Sequence, residues 1–332
     1  MPGNIVIALD AMGGDNAPSE IVKGAVGALG DERIKLLLFG KLDILETELA
    51  KHSYPKDRLE IVDAPEVIQN DESPTQAISG KRNSSIVMGL NAIKDKKATS
   101  FVSAGATGAL LAGATIITGR IPGVARPALG TLLPNETGRT FLIDSGANVD
   151  SKPAYLAQYA VMGSVYMENV VGVANPRVGL LNIGAEKGKG NTLAKEAYPL
   201  LESAGVNFVG NIEARDIPKG AADIIVCDAF AGNILLKYTE GFANSLFHLL
   251  KKELMASPVS KAGALLSKGA FGRLMKLFDY TEVGGAPFLG LKGLVVKAHG
   301  SSNARAIEVA IRNCVSFAEN DIASKIEERL KN

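Results

Sequence analysis

Nine short apolar runs recur along this chain, and their unbroken hydrophobicity narrows its possible folds more than any other property. They read NIVIALD, IKLLLFG, LEIVDAP, TSFVSAG, TFLIDSG, VGLLNIG, VNFVGNI, DIIVCDAF and GLVVKAHG. A strand with one wet face alternates apolar and polar side chains. These runs do not alternate, so both of their faces are covered. Longer segments of helical period separate them, which predicts βαβ units and a mainly parallel sheet in an α/β fold. At 332 residues the chain has room for one large α/β unit with an excursion, or for two domains. No linker, low-complexity tract or fixed-period repeat divides it, so residues 1–332 are read as a single unit.

The residues just past each run are more informative than the run itself. A small or polar cluster comes first, then glycine, then a helix start. The clusters are Asp10 to Asn16, Ser103 to Thr107, Asp144 to Asn148, Asn182 to Asn191, Asn211 to Glu213, Asp228 to Asn233 and His299 to Asn303. In open parallel sheets, ligands bind beyond the carboxyl ends of the strands, where helix N-termini also point. Such clusters along one edge predict a cleft rich in N–H groups, carboxylates and amides. Asp, Asn and Ser are also good N-caps, and capping accounts for one such residue per turn. It does not account for DAMGGDNAP, which crowds Asp10, Gly13, Gly14, Asp15 and Asn16 into one strand-to-helix turn. These five, with Ser103, Gly105, Thr107, Asp144, Asn148, Asn182, Asn191, Ser301 and Asn303, are the candidate substrate-binding residues.

Later the pattern changes. AGNILLKYTEGFANSLFHLLKKELMAS predicts a long amphipathic helix, after which residues 258–285 form an excursion opened by Pro258 and closed by Gly284 and Gly285. At 100° per residue, Lys261, Lys268, Arg273 and Lys276 share one half of the wheel. Leu266, Phe271, Leu274, Leu277 and Phe278 share the other, with Leu265 out of place and Gly269 and Gly272 weakening the helix. A basic amphipathic segment can lie on an anionic membrane surface. The alternative is a helical hairpin packed against its own domain or a second subunit.

Several chemistries fail on inspection. DAMGGD lacks G-x-G-x-x-G, GAEKGKGN lacks the third glycine, and Lys189 is followed by Gly190 rather than the Ser or Thr of a phosphate-binding Walker loop. No G-x-S-x-G elbow occurs. His52, His248 and His299 are scattered, and Cys227 and Cys314 are too few and too far apart for a disulfide framework or a cysteine metal site. Both thiols have apolar neighbours and read as buried and inert, and no metal or cofactor is expected. Lys+Arg 36 against Asp+Glu 35 creates no global field for nucleic acid. No basic n-region precedes an apolar stretch, and the uncharged run from Phe101 to Gly119 is too rich in glycine and hydroxyls for a membrane span. It reads as a strand, a turn and a buried helix, and a cytoplasmic protein is the default. The best small-anion candidates are GAEKGKGN, with Lys187 and Lys189 before a helix starting near Asn191, and HGSSNAR, with His299 and Ser301 to Asn303 at another helix start.

Taken together, ALDAMGGDNAP, SAGATGAL, GRIPGVARPAL, DSGANVDSKP, LLNIGAEKGKGN, VGNIEARDI, DAFAGNILLK and KAHGSSNARA resemble the bacterial acyl-acyl-carrier-protein:phosphate acyltransferase family of phospholipid synthesis. The motifs stand in the family's order from residue 5 to 312. The resemblance implies transfer of a fatty acyl group from acyl carrier protein to inorganic phosphate, giving acyl phosphate. It implies a Rossmann-like α/β/α sandwich of the isocitrate-dehydrogenase and phosphotransacetylase kind. Homodimerisation, peripheral membrane association and a downstream membrane acyltransferase come with it, as does use of the 258–285 excursion at a dimer tip or membrane. This chain departs from the family pattern at Ala106, where SAGNTGAL has asparagine, at Ala185, where threonine is usual, and at Ala231, within DAFAGN rather than DGFTGN.

Phosphate attacking a thioester needs no covalent enzyme nucleophile. The site must hold phosphate near the carbonyl, and positioning alone can supply several kcal/mol. Each oxyanion donor adds about 3 kcal/mol, and the leaving thiol, with a pKa near roughly 8.5, departs readily. On that reading Lys189 stabilises phosphate and oxyanion beside Asn191, Asp228 orients the phosphate or Lys189, Asn233 donates nearby, and His299 closes the site with Ser301 and Asn303. The catalytic candidates are therefore Lys189, Asp228, Asn233 and His299. A nicotinamide-dependent dehydrogenase on a similar fold is disfavoured by the missing fingerprint, and a non-catalytic membrane or carrier-protein scaffold by the polar strand ends.

Overall fold

The structure, a computed structural model, describes residues 5–278, 281 and 284–331. The first half runs β1 (Ile5–Asp10), α1 (Ser19–Ala28), β2 (Ile34–Gly40), α2 (Leu42–Leu49), β3 (Leu59–Asp63), α3 (Pro74–Gly80), α4 (Ser85–Lys94), β4 (Ser100–Ser103), α5 (Thr107–Gly113) and β5 (Ala128–Asn135). The second runs β6 (Gly138–Ile143), α6 (Pro153–Tyr166), β7 (Arg177–Asn182), α7 (Thr192–Glu202), β8 (Asn207–Glu213), β9 (Ile224–Val226) and α8 (Ala229–Leu254). The excursion supplies α9 (Pro258–Leu266) and α10 (Lys268–Leu277), and the chain returns through β10 (Ala286–Leu289), β11 (Leu294–Lys297), α11 (Ala304–Glu319) and α12 (Ile322–Lys331).

Among the described residues these strands form an 11-stranded sheet in the order β3-β2-β1-β4-β11-β10-β5-β6-β9-β7-β8. Its flanks are parallel, as the unbroken apolar runs predict, and helices cover both faces. On one face of the first half, α1 and α11 pack through Ile21, Val22, Ile307 and Ile311 onto Ile7, Leu9 and Val102. They approach closely at Gly24, where a Cβ would sit 2.6 Å from the Ala304 carbonyl. On the other face, Ile86 and Leu90 of α4 and Leu110 of α5 bury Phe101 and Val295. The second half repeats the layering, with α6, α7 and α12 over Phe141, Val178 and Ile224. The α/β/α sandwich is thus present in both halves.

One expectation needs correction. The strand ends do not lie along a single edge. β10 is antiparallel to β11 and to β5, and β5 is antiparallel to β6. It follows that β6, β9, β7 and β8 run opposite to β1, β4 and β11. The apolar-run reading missed β5 and β10, the two strands that set this reversal. β5 carries Pro134, which cannot donate to a ladder, and β10 is a four-residue APFL between glycines. The brevity of β10 keeps the two sets of strand ends close, since its four residues span only about 10 Å.

The long helix also differs from expectation at its start. It begins at Ala229 rather than Ala231, while the segment 258–278 forms two helices divided at Ser267, in keeping with the expected helical hairpin. Ser257 caps α9 by accepting from the Ser260 N–H, with Pro258 in the first turn. No residue of α9 or α10 is buried, so the face holding Leu266, Leu274, Leu277 and Phe278 is not absorbed into the domain. Phe271 is half-buried, and Phe278 meets Phe247 edge-on at 5.7 Å between ring centres. Gly284 and Gly285 adopt φ of +75° and +101° where the excursion closes. Residues 279, 280, 282 and 283 of that closure lie outside the described residues.

Candidate active site

A cavity of about 980 Å³ lies over the centre of the sheet, where the direction reverses. Its floor is the face of β5, including Leu129, Thr131 and Leu132, and α8 walls it with Phe230, Asn233, Ile234, Lys237 and Phe247. Met275 and Leu277 of α10, and Phe278 just after it, lean over one part. At the polar part the loop after β11 supplies Lys297, His299, Gly300 and Ser302, facing Ser145 and Gly146 from the loop after β6. Both sets of strand ends therefore reach one cavity, because β10 is short and α8 crosses the gap. Lys237, in the third turn of α8, brings its Nζ to 3.3 Å from His299 Nε2.

Lys297 was not singled out from the sequence. Its signal was there: a lysine ending the buried strand LVVK just before AHGSSN. Its ammonium donates to the carbonyls of Ala104, at 3.1 Å, and Ala298. Burial pulls its pKa down to about 8, aided by the nearby Lys237 and opposed by the carboxylates of Asp10 and Asp15. His299 is likewise held below its ordinary value, chiefly by burial and then by the Lys237 ammonium, so the imidazole is neutral at pH 7. Its Nδ1 lies 2.8 Å from the Ser301 hydroxyl.

The crowded DAMGGDNAP turn is used to lock three loops together behind this polar end. The Asp10 carboxylate accepts from Ser103 Oγ at 2.7 Å and from the Met12 N–H, while Ser103 Oγ accepts from the Gly105 N–H. Gly13 is essential to that closeness, since a Cβ there would lie 2.3 Å from Asp10 Oδ2 and 2.6 Å from Gly105 N. The Asp15 N–H donates to Gly300 O at 2.8 Å, and Asn16 Nδ2 to the carbonyls of Ser301 and Ser302. Gly14, at φ +100°, lets this turn press against Ala104 and Gly300.

Other candidates shape the site from behind. Asp144 is fully buried and accepts from the N–H groups of Leu129, Gly146, Ala147 and Asn148 and from Asn148 Nδ2, which fixes the Ser145–Gly146 wall. Burial raises its pKa while those donors pull it back. Asp228, Asn191 and Asn303 are N-caps of α8, α7 and α11, accepting from Ala231, Ala194 and Ala306 respectively. Asn182 Nδ2 donates to Lys189 O, and Asn211 Nδ2 to Glu186 O, so these amides build the 183–190 loop. Lys187 pairs with Glu202, whereas Lys189 is exposed and has no ion pair among the described residues.

Of the candidates, Asn233, His299 and Thr107 line the cavity directly. Asp10, Gly13, Gly14, Asp15, Asn16, Ser103, Gly105, Ser301 and Asn303 form the packed shell at its polar end. Lys189, Asn182 and Asn191 belong to the end of β7, two strands beyond β6, and do not line it. Lys297, Lys237 and Ser145 are cavity residues that the sequence reading passed over, and Ser302, part of the HGSSNAR anion candidate, lines the cavity as well. Both cysteines are buried, and burial pushes the Cys314 thiol up to about 12. Among the described residues no group of three or more His, Cys, Asp or Glu is placed to hold a metal ion.

Comparison with known proteins agrees across the whole chain. The family described as "Fatty acid synthesis protein" matches residues 5–325. A phosphate acyltransferase of Clostridium acetobutylicum is 50% identical over 328 residues, covering 98% of this chain and 99% of that one. One from Clostridium tetani is 46% identical over 327 residues, covering 98% of each. Among solved structures, a phosphotransacetylase from Streptococcus pyogenes superposes with a TM-score of 0.66 at 16% identity, covering 95% of this chain and 94% of that one. A 4-hydroxythreonine-4-phosphate dehydrogenase from Klebsiella pneumoniae gives 0.56 at 13%, covering 95% and 99%. These two likenesses establish the fold.

Position 106, at the cavity's edge, is the N-cap of α5, and Ala106 offers no side-chain acceptor there. An asparagine would accept from the first-turn N–H groups. Ala106→Asn is expected to raise stability by about 1 kcal/mol, read as an increase in the urea midpoint with unchanged slope. No gain would mean that residue 106 cannot reach those donors.

Proposed function

We propose, from the premise that this chain belongs to the fatty acid synthesis protein family, that it is an acyltransferase moving an acyl group onto inorganic phosphate for phospholipid synthesis. The single observation that carries the reading is one cavity with two unlike parts. Leu129, Leu132, Phe230, Ile234, Phe247 and Met275 suit an alkyl chain, and Lys297, His299, Asn233 and Ser302 suit a phosphate and a carbonyl. The reaction is balanced without an enzyme nucleophile. A phosphate oxygen attacks the thioester carbon, the tetrahedral oxyanion collapses, the C–S bond breaks and the thiolate leaves. Juxtaposition of the two substrates supplies several kcal/mol, and N–H or ammonium donors stabilise the oxyanion. A neutral His299 beside Lys237 can hydrogen-bond a substrate without adding a competing charge.

The acyl donor in this reading is a carrier-protein thioester, and the enzyme works at the cytoplasmic face of a membrane, passing its product to a downstream membrane acyltransferase. Three observations support the surface part. α8 carries an exposed apolar stripe, Phe230, Ile234, Tyr238, Phe242, Leu246 and Leu249, repeating every three or four residues. Leu266 is 89% exposed at the tip of α9, beside the basic side chains of the excursion. No helix among the described residues is long and apolar enough to cross a membrane. A stripe of that size calls for a cover. We assign α8 to a homodimer interface and the tip of the excursion, Leu266, Phe271, Leu274, Leu277 and Phe278, to a dimer tip that rests on lipid. Lys189 and Asp228 enter the reaction from outside the cavity lining, Lys189 as an exposed ammonium without an ion pair among the described residues that attracts the anionic substrates, and Asp228 because it sets the start of α8 beside Asn233.

Incubation with acyl-acyl carrier protein should release carrier thiol and hydroxylamine-trappable acyl phosphate only when inorganic phosphate is present. Thiol release independent of phosphate would make the protein a thioesterase instead. Lys189→Ala and Asp228→Asn, the latter chosen to retain the cap, are each expected to lower turnover by more than about tenfold. Wild-type rates in both would remove their roles. For the surface, Leu266→Glu should abolish flotation with anionic vesicles, and Phe242→Asp should convert dimer to monomer by light scattering. Retained flotation or an unchanged mass would refute the corresponding assignment.

A further inference from the structure

The polar part of the cavity contains two groups whose bonding is incomplete. Lys297 is half-buried, and two of its three ammonium protons go to the Ala104 and Ala298 carbonyls. Among the described residues it forms no ion pair, although Asp10 and Asp15 stand near enough to influence it. The Asp10 carboxylate is already engaged by Ser103 and Met12. Carbonyl acceptors hold an ammonium in position but do not neutralise it. A partly desolvated cation lining a cavity without a counter-ion is therefore set up for an anion.

Ser302 is the second. Its backbone is fully used: the N–H donates to His299 O, and the carbonyl accepts from Asn16 Nδ2. The same packing leaves the residue only 2% exposed, yet the hydroxyl oxygen has no partner among the described residues. Buried hydroxyls are normally bonded, and leaving one unpaired costs stability. The α11 N-terminus does not supply the missing bond, because Glu20 Oε2 takes the Ala304 N–H and Asn303 takes that of Ala306. Lys297 and Ser302 sit at the two ends of one short loop and line the same part of the cavity, and the Asn16 and Asp15 contacts fix the loop between them.

We propose that Lys297 and Ser302 together bind the acceptor phosphate, the ammonium supplying the charge and the hydroxyl a directed hydrogen bond. The inference rests on the acyl-to-phosphate reading and names the residues that hold its acceptor. It also gives a purpose to the DAMGGDNAP turn, which holds this loop rather than touching the phosphate. Asp10 and Asp15 from the β1 turn keep Lys297 protonated against its burial. Lys237 from α8 works the other way, itself partly neutralised by Glu240 at 2.8 Å, and His299 stays neutral between them.

The test is steady-state kinetics of the full chain with inorganic phosphate varied at saturating acyl donor, together with calorimetry using inorganic phosphate alone. Lys297→Gln should raise the phosphate KM at least about tenfold, while the donor KM moves less than about twofold. Ser302→Ala should raise the phosphate KM about fivefold. It should also leave the melting temperature without phosphate equal or higher, since it removes an unpaired buried hydroxyl. The calorimetric signal should weaken in the same order. In the wild type the phosphate KM should climb above pH about 8, where Lys297 loses its proton, and Lys297→Arg should abolish that climb. An unchanged phosphate KM in both variants overturns the proposal while leaving acyl transfer to phosphate intact. So does a rise in the donor KM alone, which would place these residues against a phosphodiester of the donor. Absence of phosphate-dependent transfer in the wild type, with phosphate still bound in calorimetry, would instead remove the parent reading.

Discussion

Everything functional in this molecule depends on the antiparallel pairings at the centre of the sheet. β10, four residues long, sits antiparallel between β11 and β5. Those two antiparallel pairings, followed by that of β5 with β6, reverse the direction of the sheet, so the loops after β11 and those after β6 and β9 issue from opposite edges. A longer strand would carry them apart; four residues hold them within about 10 Å. The face of β5 exposed between them becomes the cavity floor, and α8, starting at the far edge, crosses back far enough for Lys237 to meet His299. The start of α8 is seated against the Asp144 carbonyl at Gly232, where a Cβ would come within 1.9 Å.

That geometry creates an electrostatic problem, and the surrounding loops address it. Two lysines and a histidine converge on this region, where like charges repel and burial disfavours the charged forms of Lys297 and His299. Glu240 offsets Lys237, Asp10 and Asp15 support Lys297, and the imidazole remains uncharged. Glu240 lines the cavity paired with Lys237, whereas Asp10 and Asp15 stand outside the cavity lining. Locking Asp10 onto Ser103 and the Met12 N–H keeps it there.

Much of the fold was legible in the sequence because most of the strands are covered on both faces, which leaves a continuous apolar signature. β5 and β10 left none: one carries Pro134 and the other is four residues between glycines, and they alone set the reversal. The site was half legible for a related reason. Polar strand ends identified the right loops, but the residue types that advertise a site were largely those that build it. Asp144, Asp228, Asn191 and Asn303 satisfy backbone N–H groups, as any Asp or Asn at a helix start can. Lys297 hid at the end of an apolar run, and within the HGSSNAR candidate nothing in the sequence set Ser302 apart from Ser301 and the capping Asn303. Which cluster joins which cannot be read without the strand directions and order, which put Lys297 in the cavity lining and Lys189 at the end of β7.

The central claim, one cavity holding the two ends of one substrate, is tested most directly by a crystal structure of the protein with a non-hydrolysable long-chain acyl phosphate analogue. The phosphonate should lie against Lys297 and Ser302, with the alkyl chain running over Leu129 and Leu132 beneath Phe247. A ligand bound outside this cavity, or one with its chain in solvent and the apolar part empty, would contradict the claim.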